Sequence, residues 1–182
     1  MATSGTARWH SVVPTVLGEL TLVRDRDALL GVYYPNHWYR PGAAAFGPRR
    51  DDGFEEAADQ LGEYLAGQRR GFDLPLRAEG DAVQRRVWSL IQRVPYGETV
   101  TYGALARDLG DGSTAQEVGA AVGRNPLCIV LPCHRVIGAN GKPTGYAGGL
   151  RRKRFLLELE QSQRPLWPVG SHEPASGSVY LS

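Results

Sequence analysis

The residues best placed for covalent chemistry are Cys133 and His134, followed directly by Arg135. They stand where the apolar run Leu127 to Leu131 gives way, through Pro132, to a polar loop. A cysteine thiol ionises near pH ~8.5, so a nearby cation or base is needed to raise the thiolate fraction at neutral pH. His134 and Arg135 are such neighbours in sequence. Adjacent side chains commonly point apart, so Cys133 and His134 would communicate through a bridging water. The chain's other cysteine is Cys128. Three chemistries fit these residue types: a nucleophile activated by a histidine, a soft metal site, or an inert thiol at the end of a buried strand. A closed zinc site wants four ligands; Cys128, Cys133 and His134 offer three, and His10, His37 and His172 show no paired spacing. A cysteine protease would bring its histidine from a distant segment, for which only His37 or His172 is at hand. Residue types alone leave the reactive thiol and the inert thiol both open.

Around this segment the chain divides into two halves of different character. Trp9 to Val13, Gly18 to Val23 and Ala28 to Tyr34 read as strands of an antiparallel meander, with Arg24 to Asp27 as a charged turn. Residues 35–53 read as a loop. Phe54, Ala57, Ala58, Leu61, Tyr64 and Leu65 recur at helical spacing, and Gly67 closes that helix. Phe72 to Ala78 reads as extended, with Pro75 making it an edge or a linker, and a domain boundary is expected near Gly80. Beyond it, Val83, Val87, Leu90, Ile91 and Val94 form one helical face, ended by Pro95 and Gly97. Thr101 can cap a short helix from Tyr102 to Leu109, and Gly110-Asp111-Gly112 makes a turn. Thr114 with Glu117 fits a capping box at the start of a second short helix. Two short helices joined by a glycine turn describe a helix-turn-helix, although most such hairpins bind no DNA. A glycine-rich loop from Gly138 to Gly149 leads into a basic-fronted helix, Leu150 to Glu160. The tail, 161–182, has no periodicity and is expected to lack regular structure.

The composition is that of an ordinary globular protein, with 42% hydrophobic and 22% charged residues in 182. No apolar run approaches the ~20 residues that span a bilayer. MATSGTARWHSVV lacks the pattern of an export signal, and two cysteines make no disulfide framework, so a reducing cytoplasm is the expected location. The net charge of +2 is unevenly spread: residues 1–80 carry 9 basic and 11 acidic side chains, and residues 81–160 carry 11 and 7. A basic half suits a polyanionic partner, but it is equally what a solvated surface provides.

The whole stretch from 81 to 160 resembles the O6-alkylguanine-DNA alkyltransferase family. The resemblance is carried by QRRVW at 84–88, PYGETVTYGALA at 95–106, VGAAVGRNP at 118–126, PCHRV at 132–136 and GYAGGL at 145–150, with TVLGELTLV at 15–23 resembling the family's first domain. It implies an α/β protein: a small antiparallel sheet with helices, ribonuclease H-like, over 1–80. A mostly helical, winged-helix-like DNA-binding and catalytic domain with a helix-turn-helix follows over 81–160. The implied reaction is a single, irreversible transfer of an alkyl group from O6-alkylguanine, or O4-alkylthymine, in duplex DNA to Cys133. In that scheme His134 is the base through water and Glu160 orients it, Tyr102 hydrogen-bonds the guanine ring, and Tyr146 walls the pocket at O6. Asn125, Val136 and Ala147 would shape the substrate site. Gln116, Gly119 and Ala120 would face the minor groove, with Arg124, Arg85, Arg86, Arg151 and Arg152 near phosphates. The lesion must leave the base stack to reach a buried thiol. No cofactor or metal is implied, and residues 1–80 hold no cysteine for the zinc site of some relatives. A monomer is expected in solution, with cooperativity on DNA left open.

One departure from the family pattern stands out. Gln116 occupies the position where relatives place an arginine that fills the gap left by the extruded base, so weaker or more salt-sensitive duplex binding is expected. Two other readings use the same residues: a non-enzymatic sensor of alkylated bases, whose kind lacks the reactive cysteine, and a helix-turn-helix regulator sensing through Cys133.

Overall fold

The computed structural model describes residues 7–163 and 179–181. Its first half is built on strands β1 (Trp9–Thr15), β2 (Gly18–Arg24) and β3 (Leu29–Tyr33), paired antiparallel in sequence order. Asp25 makes the β2–β3 turn possible. Its buried carboxylate accepts from the backbone N–H of Asp27 and Ala28 and pairs with Arg77. All five residues of β3 are buried, as befits the central strand of the sheet. Helix α1 (Glu55–Leu65) begins with two glutamates, which favour the positive end of a helix dipole, and turns Ala57, Gln60, Leu61, Tyr64 and Leu65 inward. Within the expected 35–53 loop, Ala43–Phe46 forms a short 3-10 turn.

The sheet corrects two expectations. Strand β4 (Leu76–Ala78) pairs in parallel with β3, and β7 (Val179–Leu181) pairs in parallel with β4, so the sheet is mixed rather than wholly antiparallel. Pro75 is compatible with an internal strand because it precedes β4 and contributes only its carbonyl, which accepts from Leu29 N at 2.8 Å. Strand β7 also gives part of the tail a regular structure where none was expected; the tail residues 164–178 and 182 lie outside the described residues.

In the second half, helix α2 (Ala82–Gln92) is capped by the Asp81–Gln84 box and buries Val87, Trp88 and Ile91. Gly80 is required at its entry, because a Cβ there would lie 2.5 Å from the Trp88 ring. Helices α3 (Tyr102–Leu109) and α4 (Ala115–Gly123) are capped by Thr101 and by the Thr114–Glu117 box, as expected, and Gly110 ends α3 in the left-handed conformation. Trp88 donates its indole N–H to Ala121 O at 2.9 Å, fastening α2 to α4. Short strands β5 (Val100–Thr101) and β6 (Val136–Ile137) pair in parallel, and α5 (Leu150–Ser162) closes the fold.

The run Leu127 to Leu131 is not the strand its composition suggests. Leu131 N donates back to Leu127 O, and Ile129 adopts φ 74°, a conformation rare for a β-branched residue. The turn is sutured to β3 instead: Val32 N donates to Pro126 O and Cys128 N to Val32 O. One continuous core runs through both halves, from Leu20 and Leu22 to Leu131 and Leu156.

Candidate active site

Cys133 opens a 3-10 turn, Cys133–Arg135, directly after this sutured loop. Asn125 braces the loop from within: its amide donates to Leu131 O and its carbonyl accepts from Leu127 N, both at 2.9 Å. Cys133 is only 3% exposed. A hydrogen bond from the Cys128 thiol draws its pKa below the ordinary range against the opposing effect of burial, helped by the Asn125 side chain and the charge of Lys153. Cys128, buried and donating to that neighbour, is pushed well up. Cys133 is thus the member of the pair poised to ionise.

Behind the thiol lies a buried charge cluster. His134 Nε2 is 2.6 Å from Glu160 Oε1. Arg135 clasps the same carboxylate through Nε at 2.9 Å and a second nitrogen at 3.1 Å. Gly97 N donates to Glu160 Oε2, and the Tyr64 hydroxyl from α1 donates to Oε1. Burial alone would raise the Glu160 pKa, yet the bonds from His134 and Arg135 bring it down to about 2. An ionised Glu160 fixes the proton of His134 on Nε2. Burial lowers the pKa of His134 as well, so the ring is neutral and its Nδ1, which has no protein partner, is free to accept a proton. Glu160 is therefore no solvated helix end.

In front of the thiol opens a cleft of about 260 Å³, counting the space open to solvent. Cys133, Tyr102, Tyr146, Ala147, Gly119 and Trp38 are among its lining residues. Tyr146 is buried, with its hydroxyl 3.2 Å from that of Tyr34 on β3's extension. The Tyr34 ring packs so closely on Gly148 that a Cβ there would lie 2.3 Å away. Tyr102 donates to Thr144 O at 2.9 Å and receives a long bond from Lys153 Nζ at 3.4 Å; burial lifts its pKa to about 12. Lys153 itself is wholly buried, donating also to the carbonyls of Val136, Thr144 and Gly145, and burial lowers its pKa to about 8. It ties the glycine loop to β6 and to Tyr102. Val136 and Asn125, by contrast, do not line the cleft: the first offers its carbonyl to Lys153, the second holds the loop.

Two family models match the chain. The DNA-binding domain of 6-O-methylguanine DNA methyltransferase covers residues 82–162, and the ribonuclease-like domain of the same family covers 9–78. The chain belongs to the 6-O-methylguanine DNA methyltransferase family. A methylated-DNA–protein-cysteine methyltransferase of Mycobacterium tuberculosis is 43% identical, across 86% of this chain and 94% of the relative. One from Methanosarcina acetivorans is 40% identical, across 85% and 99%. The crystal structure of the M. tuberculosis O6-methylguanine methyltransferase superposes with a TM-score of 0.79 at 42% identity, across 87% of this chain and 96% of that one. The same enzyme in complex with DNA gives 0.79 at 43%, across 86% and 94%.

For a methyltransferase of this family, the placement of the surface residues is uneven. On α4, Gln116 and Ala120 are exposed and Gly119 reaches the cleft. Arg124, at the end of α4, is exposed with its guanidinium 4.3 Å from the Tyr39 ring. Arg86 is engaged within the fold, holding Asp111 and Leu109 O, and Arg85 donates to Gly80 O. Arg151 is exposed, whereas Arg152 is spent on Leu17 O and Gly148 O. Tyr64, Lys153, Tyr34 and Trp38 were not singled out for the site from sequence, and Arg135, expected to act on the thiol, is turned instead onto Glu160. A signal existed for Lys153: it shares the 153, 156, 157, 160 spacing with Leu156, Leu157 and Glu160, one inward face of α5.

Proposed function

We propose that this protein repairs DNA by moving an alkyl group, typically methyl, from O6-alkylguanine in a duplex onto Cys133, once per molecule. The observation that carries the reading is geometric: a buried thiol lines an open cleft, and the histidine next to it is held at 2.6 Å by a buried carboxylate. The thiol proton passes through a water to His134 Nδ1, and Glu160 stabilises the resulting imidazolium. Sγ attacks the alkyl carbon; the S–C bond forms as the C–O6 bond breaks, and the electron pair passes into the purine. Tyr102, turning its hydroxyl from Thr144 O, donates its proton to the ring as the C–O6 bond breaks, so that guanine leaves as a neutral base. The imidazolium returns the thiol's proton through water to the Tyr102 oxygen. Because the thiol is buried, the nucleotide must rotate out of the stack into the cleft, with α4 laid along the minor groove. The relatives, methylated-DNA–protein-cysteine methyltransferases, and the DNA complex of the M. tuberculosis enzyme support DNA as the partner. A monomer acting in the cytoplasm is the simplest assembly for this chemistry.

Incubation with duplex DNA carrying O6-methylguanine, followed by intact mass spectrometry, tests the reading. A gain of one methyl that is absent in Cys133→Ala is expected. Binding to the lesion without a mass change would instead identify a sensor of alkylated bases.

A further inference from the structure

The cleft is walled on one side by the first half of the chain, through Trp38. This indole is 61% exposed, although burial of a large apolar side chain is ordinarily favourable. The loop that presents it is well braced. Trp38 N donates to Ala147 O at 3.3 Å, Tyr39 N to His37 Nδ1 at 3.2 Å, and Arg40 to the Thr21 hydroxyl at 3.0 Å. Tyr39 beside it rests against the end of α4, under the Arg124 guanidinium and close to Gly123. The indole edge would come within 4.0 Å of a Cβ placed on Gly145, which also lines the cleft. The other walls are small residues, or the tyrosines Tyr146, bonded through its hydroxyl to Tyr34, and Tyr102, whose hydroxyl rests on the Thr144 carbonyl until substrate enters. Trp38 is therefore a large aromatic surface held at the entrance and left uncovered.

We propose that Trp38 is a substrate-positioning residue: its indole stacks on the extruded O6-alkylpurine and holds it over Cys133. The inference rests on the function proposed above. Extruded bases are held by stacking on aromatic side chains, and such stacking contributes about 1–3 kcal/mol per base, which corresponds to roughly a 5- to 150-fold change in affinity.

The test compares Trp38→Ala and Trp38→Phe in the Cys133→Ala background, where substrate is bound but not consumed. Affinity is measured for one duplex with O6-methylguanine and for the same duplex with guanine. Trp38→Ala is expected to weaken the lesion duplex by about 5- to 150-fold and leave the undamaged duplex unchanged, while Trp38→Phe retains most of the affinity. Equal loss on both duplexes would assign Trp38 to the DNA backbone and overturn the proposal, as would no loss on either. Methyl transfer by the protein with Cys133 intact is followed in parallel. If it transfers and Trp38→Ala leaves lesion binding untouched, only the stacking role fails; if it never gains a methyl, the proposed function fails with it.

Discussion

Glu160 holds more together than any other side chain of the site, since Arg135, His134, Tyr64 and Gly97 all converge on its carboxylate. Removing one partner of a buried ion pair strands the other charge, at a cost of about 3–5 kcal/mol. Glu160→Ala should therefore lower stability by that order and abolish alkyl transfer, as chemical denaturation and the methyl-gain assay would show. The acid limb of stability follows from the same cluster. Burial depresses His134 below its ordinary value, so the unfolded chain takes up that proton first and stability begins to fall below pH ~6.5. Glu160, depressed to about 2, contributes stability that is complete above the unfolded carboxylate value of ~4.3 and is lost as pH falls towards 2. Denaturation measured from pH 7 downwards should show both steps; a flat profile between pH 6.5 and 4.5 would count against the neutral buried histidine. Lys153→Met keeps the side chain's bulk and removes its charge, so the Cys133 thiol should titrate higher. Iodoacetamide reactivity against pH would report the shift, and an unmoved profile would remove Lys153 from the activation of the thiol. Cys133, His134, Tyr102 and Tyr146 were picked out together by the family resemblance of the motifs at 95–106, 132–136 and 145–150, not by residue type. Tyr64 and Lys153 were not, because each acts through burial against residues far away in the chain.

At the scale of elements, legibility followed the range of the interactions. The α3–α4 pair could be read to the residue because its determinants are local: Thr101, the Gly110 turn and the Thr114–Glu117 box each act within three or four positions. The 127–131 run looked like a strand because its composition is apolar, but its backbone partners are Val32 and its own carbonyls, contacts that no local pattern encodes. Strand β4 was misread as an edge for a similar reason, since its outer partner lies a hundred residues later in β7. Helix α4 also frames the test of the departure at Gln116, which is exposed near the helix start and free to be changed without disturbing the core. Gln116→Arg should tighten binding to undamaged duplex and, by adding one phosphate contact, steepen its salt dependence by about one unit of log K against log salt. The protein with Gln116 is thus the weaker binder but the less salt-sensitive one, and that half of the expectation from sequence is reversed. Fluorescence anisotropy across a salt series measures both. Unchanged affinity together with an unchanged transfer rate would mean that this position does not contact DNA.

At the scale of the whole molecule, the described residues of both halves share one core, and the first half supplies Trp38 and Tyr64 to the candidate site. Several ties cross between the halves, three of them beside the catalytic loop and the last helix. Tyr64 of α1 donates to Glu160 of α5, Val32 of β3 is bonded on both sides to the loop before Cys133, and Arg152 reaches from α5 to Leu17. The apolar core is continuous across them, with Leu61, Trp88 and Leu131 in one cluster. Two bodies sharing a core cannot lose it separately, so a single calorimetric transition is expected, with calorimetric and van't Hoff enthalpies in agreement. Tyr64→Phe tests the coupling with one atom. It deletes a hydrogen bond to a charged acceptor, which typically contributes 1.5–3 kcal/mol. It should lower the midpoint of that single transition and slow methyl transfer in the same variant, although residue 64 lies far from Cys133 in sequence. Two resolved transitions, or a stability loss with the transfer rate intact, would show instead that the first half is a passenger on the catalytic one.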